Sequence, residues 1–132
     1  MNKALLILAA AATALAAAPS AISAKAKTTP AEQLDKLLAG RVAGKPVSCI
    51  TLSDSRDMQV IDGTAIVYGW GRTIWVNRTT DPASLDSDDV LVSKVWGSSV
   101  CKLDIMQQHD RSGGFNRGFV SLVEFVPYRK VG

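Results

Sequence analysis

Histidine occurs once in these 132 residues, at His109, and cysteine twice, at Cys49 and Cys101. Both scarcities exclude chemistry. A zinc site needs three or four imidazoles or thiolates at suitable spacing, and the chain does not carry that set. There is no C-x-x-C pair, so a thioredoxin-like site, in which a neighbouring thiol resolves the first, is absent. Also missing are the G-x-S-x-G turn of a hydrolase nucleophile and the D-x-D-x-D-G pattern of a calcium loop. Beyond the first 18 residues no apolar run is long enough to cross a membrane. The 15 Lys and Arg residues outnumber the 12 Asp and Glu only slightly and are scattered. The sequence pI of about 9.0 therefore does not give the positive face that nucleic-acid binding requires.

What is present begins with a leader. Lys3 is followed by an Ala/Leu run from Ala4 to Ala18, then by Pro19, Ser20 and small residues. Charged start, apolar middle and small-residue exit read as a secretory signal peptide over residues 1–24, with cleavage after Ala24 or Ala26. The run is too short and alanine-rich for a membrane span. The expectation is export to a bacterial periplasm. Removing 24 residues leaves 108, enough for one domain with a modest core, and losing Lys3 leaves 14 cations against 12 acids, a net charge of +2.

Residues 25–46 read as a capping helix and linker. In "TTPAEQLDKLLAG", Thr29 caps, Pro30 takes the first helical position and Glu32 closes a capping box. Ala31, Leu34, Leu37 and Leu38 form an apolar stripe that packs onto a sheet, and Gly40 ends the helix. From Val47 the character changes to short runs rich in Val, Ile, Thr and aromatics. Strands are expected near Val47–Leu52, Met58–Ile61, Thr64–Tyr68, Thr73–Asn77, Val90–Trp96, Asp104–Gln108 and Phe119–Val126. The fold class is thus mainly β: a small antiparallel barrel or sandwich of about seven short strands, with one amphipathic helix ahead of a β domain at 47–132. Trp75 and Trp96 fall within strands and are expected in or near the core.

In an oxidising compartment two cysteines on two strands most often pair, so Cys49 and Cys101 are expected to form a disulfide rather than a nucleophile pair with His109. At this point four segments, "LAGRVAGKPVSCITL", "GRTIWVNR", "SSVCKLDIM" and "LVEFVPY", resemble a family of small exported Gram-negative proteins known only as a domain of unknown function. The resemblance runs from about Leu38 to Tyr128. Members of that family often carry a second cysteine pair, and here "TTDPASLD" and "GFVSLVEF" stand where it would fall. The resemblance implies that Cys49–Cys101 is the matching bridge. It implies a fold and an exported location but no activity.

Four further features bear on function. The loop "LDSDD", with Asp86, Asp88 and Asp89 and with Asp81 upstream, offers oxygen ligands but reads better as a solvated turn than as a calcium site. In "QQHDR", His109 and Asp110 could serve a small hydrolase, but no nucleophile motif accompanies them; the aspartate reads as the start of a turn. The hairpin tip "YGWGR" places Trp70 between two glycines beside Arg72, and aromatic residues with arginine are enriched at binding hot spots. "NRT" at Asn77 matches a glycosylation acceptor only formally. The function expected is a non-enzymatic binding or interaction module with Trp70 and Arg72 as its contact residues. The partner is an envelope protein or small ligand, and neither a metal nor a cofactor is called for. The alternatives are a periplasmic enzyme inhibitor and a hydrolase using His109 and Asp110.

Overall fold

In the computed structural model of this chain the described residues are 27–132, with Thr13, Ala14, Ala16 and Ala17 ahead of them. But for those four, the expected leader lies outside the described residues. The first element, α1, spans Pro30–Leu38. Local chemistry fixes where it starts: the Glu32 N–H donates to Thr29 Oγ1 at 3.2 Å, and the Thr29 N–H donates to Glu32 Oε2 at 2.9 Å. Two otherwise unpaired donors are satisfied reciprocally. Gly40, at φ +70°, turns the chain out of the helix in a conformation other residues resist. Leu34 is buried and Leu37 and Leu38 half-buried, while Ala31 stays exposed.

Ten strands follow: β1 Arg41–Ala43, β2 Cys49–Thr51, β3 Met58–Ile61, β4 Ala65–Tyr68, β5 Thr73–Asn77, β6 Asp89–Ser93, β7 Ser99–Cys101, β8 Ile105–Asp110, β9 Asn116–Ser121 and β10 Val126–Lys130. All pair antiparallel. One five-stranded sheet has the order β1-β10-β5-β4-β3, and the remaining strands form the pair β2-β7 and the three-stranded sheet β6-β8-β9. None of these sheets closes on itself. The chain is mainly β, as expected, and open and layered rather than a barrel.

Its layers follow from the alternation of side chains along a strand. One face of the large sheet presents Ile61, Ala65, Val67, Ile74 and Val76, which pack with Leu34 of α1. The other presents Ile66 and Tyr68, which pack with Ile50, Val100, Met106 and Val120 from the two smaller sheets. The central strand β4 is consequently buried at all four positions, and its unbroken apolar run "AIVY" is what a strand covered on both faces needs.

Three differences from the expected strands have local causes. Arg41–Ala43, within the stretch read as linker, pairs with Lys130–Tyr128 as an edge strand. Ser99–Cys101 pairs with β2 but is only three residues long, too short to show alternation. The run Phe119–Val126 is not one strand. It leaves β9 after Ser121 because its backbone groups go to three different places: the Leu122 N–H to Asp104 O, Val123 to the side chain of Asn77, and Phe125 to Val47. Leu122 and Phe125 are both fully buried in the crossing, which is why apolar residues occupy both parities there.

Candidate functional site

The β4–β5 turn is built around Gly69, at φ +84°. The Gly69 N–H donates to Asp57 O at 2.8 Å, which anchors the turn to the segment entering β3. A Cβ at this position would meet the Thr73 carbonyl oxygen at 3.2 Å and the Trp75 ring at 3.4 Å. Glycine therefore serves twice here, supplying the left-handed backbone and letting the Trp75 indole lie against it. Trp70, one residue on, is 79 % exposed.

Trp70 and Arg72 have different surroundings. Arg72 Nη2 donates to Gly132 O at 3.3 Å, while Arg72 O accepts from Arg41 Nη1 at 2.9 Å and from the Lys130 N–H at 2.9 Å. Arg72 thus ties β1 and the end of β10 to the hairpin. Trp70 instead shares an open cavity of about 310 Å³ with Trp75, Ser53, Asp54 and Asp57. Asp54 is positioned by Thr51, whose Oγ1 donates to Asp54 Oδ2 at 2.7 Å. The two aspartates carry no motif in "SDSRD"; only the β3–β4 pairing, Met58 opposite Tyr68, brings that segment beside the hairpin tip.

His109 and Asp110 close β8. As neighbours on a strand their side chains leave opposite faces. The Asp110 carboxylate is occupied by its own turn: Oδ1 accepts from Ser112 Oγ and from the Ser112 N–H, both at 2.6 Å, and from the Gly113 N–H at 3.0 Å. These bonds, the serine hydroxyl first, hold its pKa below the ordinary carboxylate value. The His109 ring nitrogen Nδ1 lies 3.4 Å from Gly114 O. A triad needs a carboxylate that orients the histidine toward a nucleophile, and here the carboxylate orients a turn.

The acidic loop is held by Arg117, whose Nη1 donates to Asp89 Oδ1 at 3.1 Å and to Asp86 Oδ2 at 3.4 Å. Arg117 occupies the bulge in β9, where the register shifts opposite Gln108 and His109. A bulge re-aims its side chain, and this one sends the guanidinium toward Asp89, whose side chain is only 2 % exposed. Among the described residues no group of three or more His, Cys, Asp or Glu side chains is placed to share a metal ion.

Cys49 and Cys101 face each other directly across β2 and β7 and are joined, Cα to Cα at 4.0 Å. A bridge at such a pair fits an oxidising compartment. Among the described residues no helix is long and apolar enough to cross a membrane. Asn77 is fully buried, so the N-x-T match lies on a core residue. Trp75 is half-buried, but Trp96, expected in or near the core, lies past the end of β6 and is 87 % exposed. β6 ends at Ser93 because its partner runs out, Ser93 lying opposite Met106 near the start of β8. The outer face of β6-β8-β9 also exposes Val90, Val92, Ile105 and Phe119, a larger apolar surface than scattered single residues would make. The chain matches no protein-family model, no curated protein and no solved structure.

Proposed function

We propose that this chain is an exported binding module of the periplasm that performs no chemistry of its own and engages its partner through the β4–β5 hairpin tip. The observation that carries this reading is Trp70. A large aromatic side chain stands 79 % exposed on a turn whose backbone is fixed by Gly69, with a second indole, Trp75, against that glycine. An exposed aromatic on a rigid mount spends little entropy on binding, which is what a recognition hot spot requires. The signal-like leader, the Cys49–Cys101 bridge and the resemblance to exported proteins support the location. A small inhibitor of an envelope enzyme would be one form of such a module.

The test is crosslinking of the tagged protein in its own host, followed by identification of what copurifies. The reading expects a defined partner that is lost with Trp70→Ala and kept with His109→Ala. An Ile105→Lys/Phe119→Lys variant examines the outer face of β6-β8-β9 in parallel. A partner lost only in that variant, or one indifferent to Trp70, would overturn the hairpin reading.

A further inference from the structure

Resting on the hairpin reading, we infer that the cavity under Trp70 receives an organic cation: an ammonium or guanidinium group presented by the partner. Trp70 and Trp75 line this cavity together with Asp54 and Asp57. Ring faces attract cations, tryptophan most strongly, and the attraction grows where the cation is partly desolvated. A carboxylate beside the ring adds charge-assisted hydrogen bonds that only a donor group can use.

The site has the acceptors for such a group and no cation of its own. Asp54 accepts from the Thr51 hydroxyl through Oδ2, which leaves Oδ1 for another donor. The ion pairs among the described residues engage Glu124, Asp86 and Asp89, and neither Asp54 nor Asp57. Neither Arg56, which stands between the two aspartates in the chain, nor Arg72, which donates to Gly132, lines the cavity. An anion would meet two negative charges there. A metal ion would need a third ligand that the described residues do not place. An aliphatic ammonium or a guanidinium meets both the aromatic walls and the acceptors, and a volume of about 310 Å³ admits the end of such a chain.

The measurement is an NMR titration of the disulfide-intact protein lacking its leader, read at the three indole N–H signals. The probes are N-acetyl-arginine amide, a lysine-rich peptide and spermidine, with N-acetyl-glutamine amide as the neutral control. The expected result is a saturable shift of the Trp70 and Trp75 signals with the cations, none with the neutral amide, and an unmoved Trp96. Asp54→Asn/Asp57→Asn should bind about tenfold more weakly, with an unchanged unfolding midpoint. Tighter binding of the peptide points to a protein side chain as the natural source, tighter binding of spermidine to a free amine. Indoles that stay still, that respond equally to the neutral amide, or that titrate unchanged in the Asn variant would overturn the inference. In the crosslinking experiment, a partner lost with Trp70→Ala but kept by the Asn variant would remove the cation and leave the hairpin reading standing. A partner indifferent to Trp70 would do the reverse if the titration succeeds.

Discussion

The side chain of Asn77 pairs with the backbone of Val123 as a neighbouring strand would. Its Nδ2 donates to Val123 O at 2.7 Å, and its Oδ1 accepts the Val123 N–H at 3.1 Å and the Thr79 N–H at 3.0 Å. Both backbone groups of Val123, in the crossover between β9 and β10, and the N–H of Thr79, just after β5, thereby find partners away from any sheet. The same bonds sit beside Thr79, which holds φ +56°, a left-handed conformation that a threonine adopts only where its surroundings impose it.

Asn77→Ala therefore removes three hydrogen bonds at a site with no exposure and strands the backbone groups they served. The expected loss is about 3 kcal/mol, taking about 1 kcal/mol for each buried backbone group left without a partner. Urea unfolding measures it. A change below about 0.5 kcal/mol, the range of ordinary surface substitutions, would mean that the crossover holds itself in place without the amide.

Asn77 also marks where the sequence stops being legible. The capping box at Thr29, the two flanking strands of the Trp70 hairpin and the pairing of the cysteines all rest on signals within a few residues or on compartment chemistry, and all could be read. The crossover at Leu122–Phe125 could not, because apolarity at both parities describes a doubly covered strand and a buried crossing equally well. The edge strand β1 could not, because three residues carry no period. The hairpin tip was half legible. Two glycines around a tryptophan announce exposure, but which acidic residues line the cavity beside it depends on strand register, and register brings Asp54 and Asp57 there.

Tyr68 offers a stability test with a pH signature. Its ring meets that of Phe125 edge to face, with centroids 5.7 Å apart, but its hydroxyl is buried with no hydrogen-bond partner. Tyr68→Phe removes the unpaired group and keeps the ring, so stability at neutral pH should rise by about 1 kcal/mol. Burial, and then the carboxylate of Asp104, push the phenol above its ordinary value of 10.0. Above that pH the unfolded chain releases a proton that the folded one still holds, so stability falls as pH rises. Unfolding curves from pH 8 to 11 should show a shallower alkaline decline in the phenylalanine variant. Identical slopes would show that Tyr68 does not govern alkaline unfolding.

The Cys49–Cys101 bridge closes a loop across 52 positions. In the chain-entropy account, losing it costs about 4 kcal/mol, a large share of the roughly 5–15 kcal/mol a domain of this size has. Because the two residues already face each other in the β2–β7 ladder, Cys49→Ala/Cys101→Ala should keep the fold at low temperature and lower its melting point steeply. Calorimetry with and without reductant checks this. A wild-type protein whose transition is indifferent to reductant would show that the ladder and the core below it, through Ile50 and Val100, do not need the bridge.

Trp70 and Arg72 are two residues apart and should fail in opposite ways. Trp70 is exposed and its removal unburies almost nothing, so Trp70→Ala should leave the unfolding midpoint within about 0.5 kcal/mol of wild type while abolishing partner capture. Arg72 reaches Gly132 through its guanidinium, and Arg72→Ala should release the end of the chain: faster amide exchange at Val131, whose N–H is bonded to Gly40 O, at little cost in global stability, since the interaction is exposed. The backbone oxygen that holds Arg41 and Lys130 survives that substitution, so β1 should stay paired. If Arg72→Ala instead abolished capture with no change in exchange at the chain end, the guanidinium would belong to the binding surface after all, and Trp70 and Arg72 would act as one contact patch.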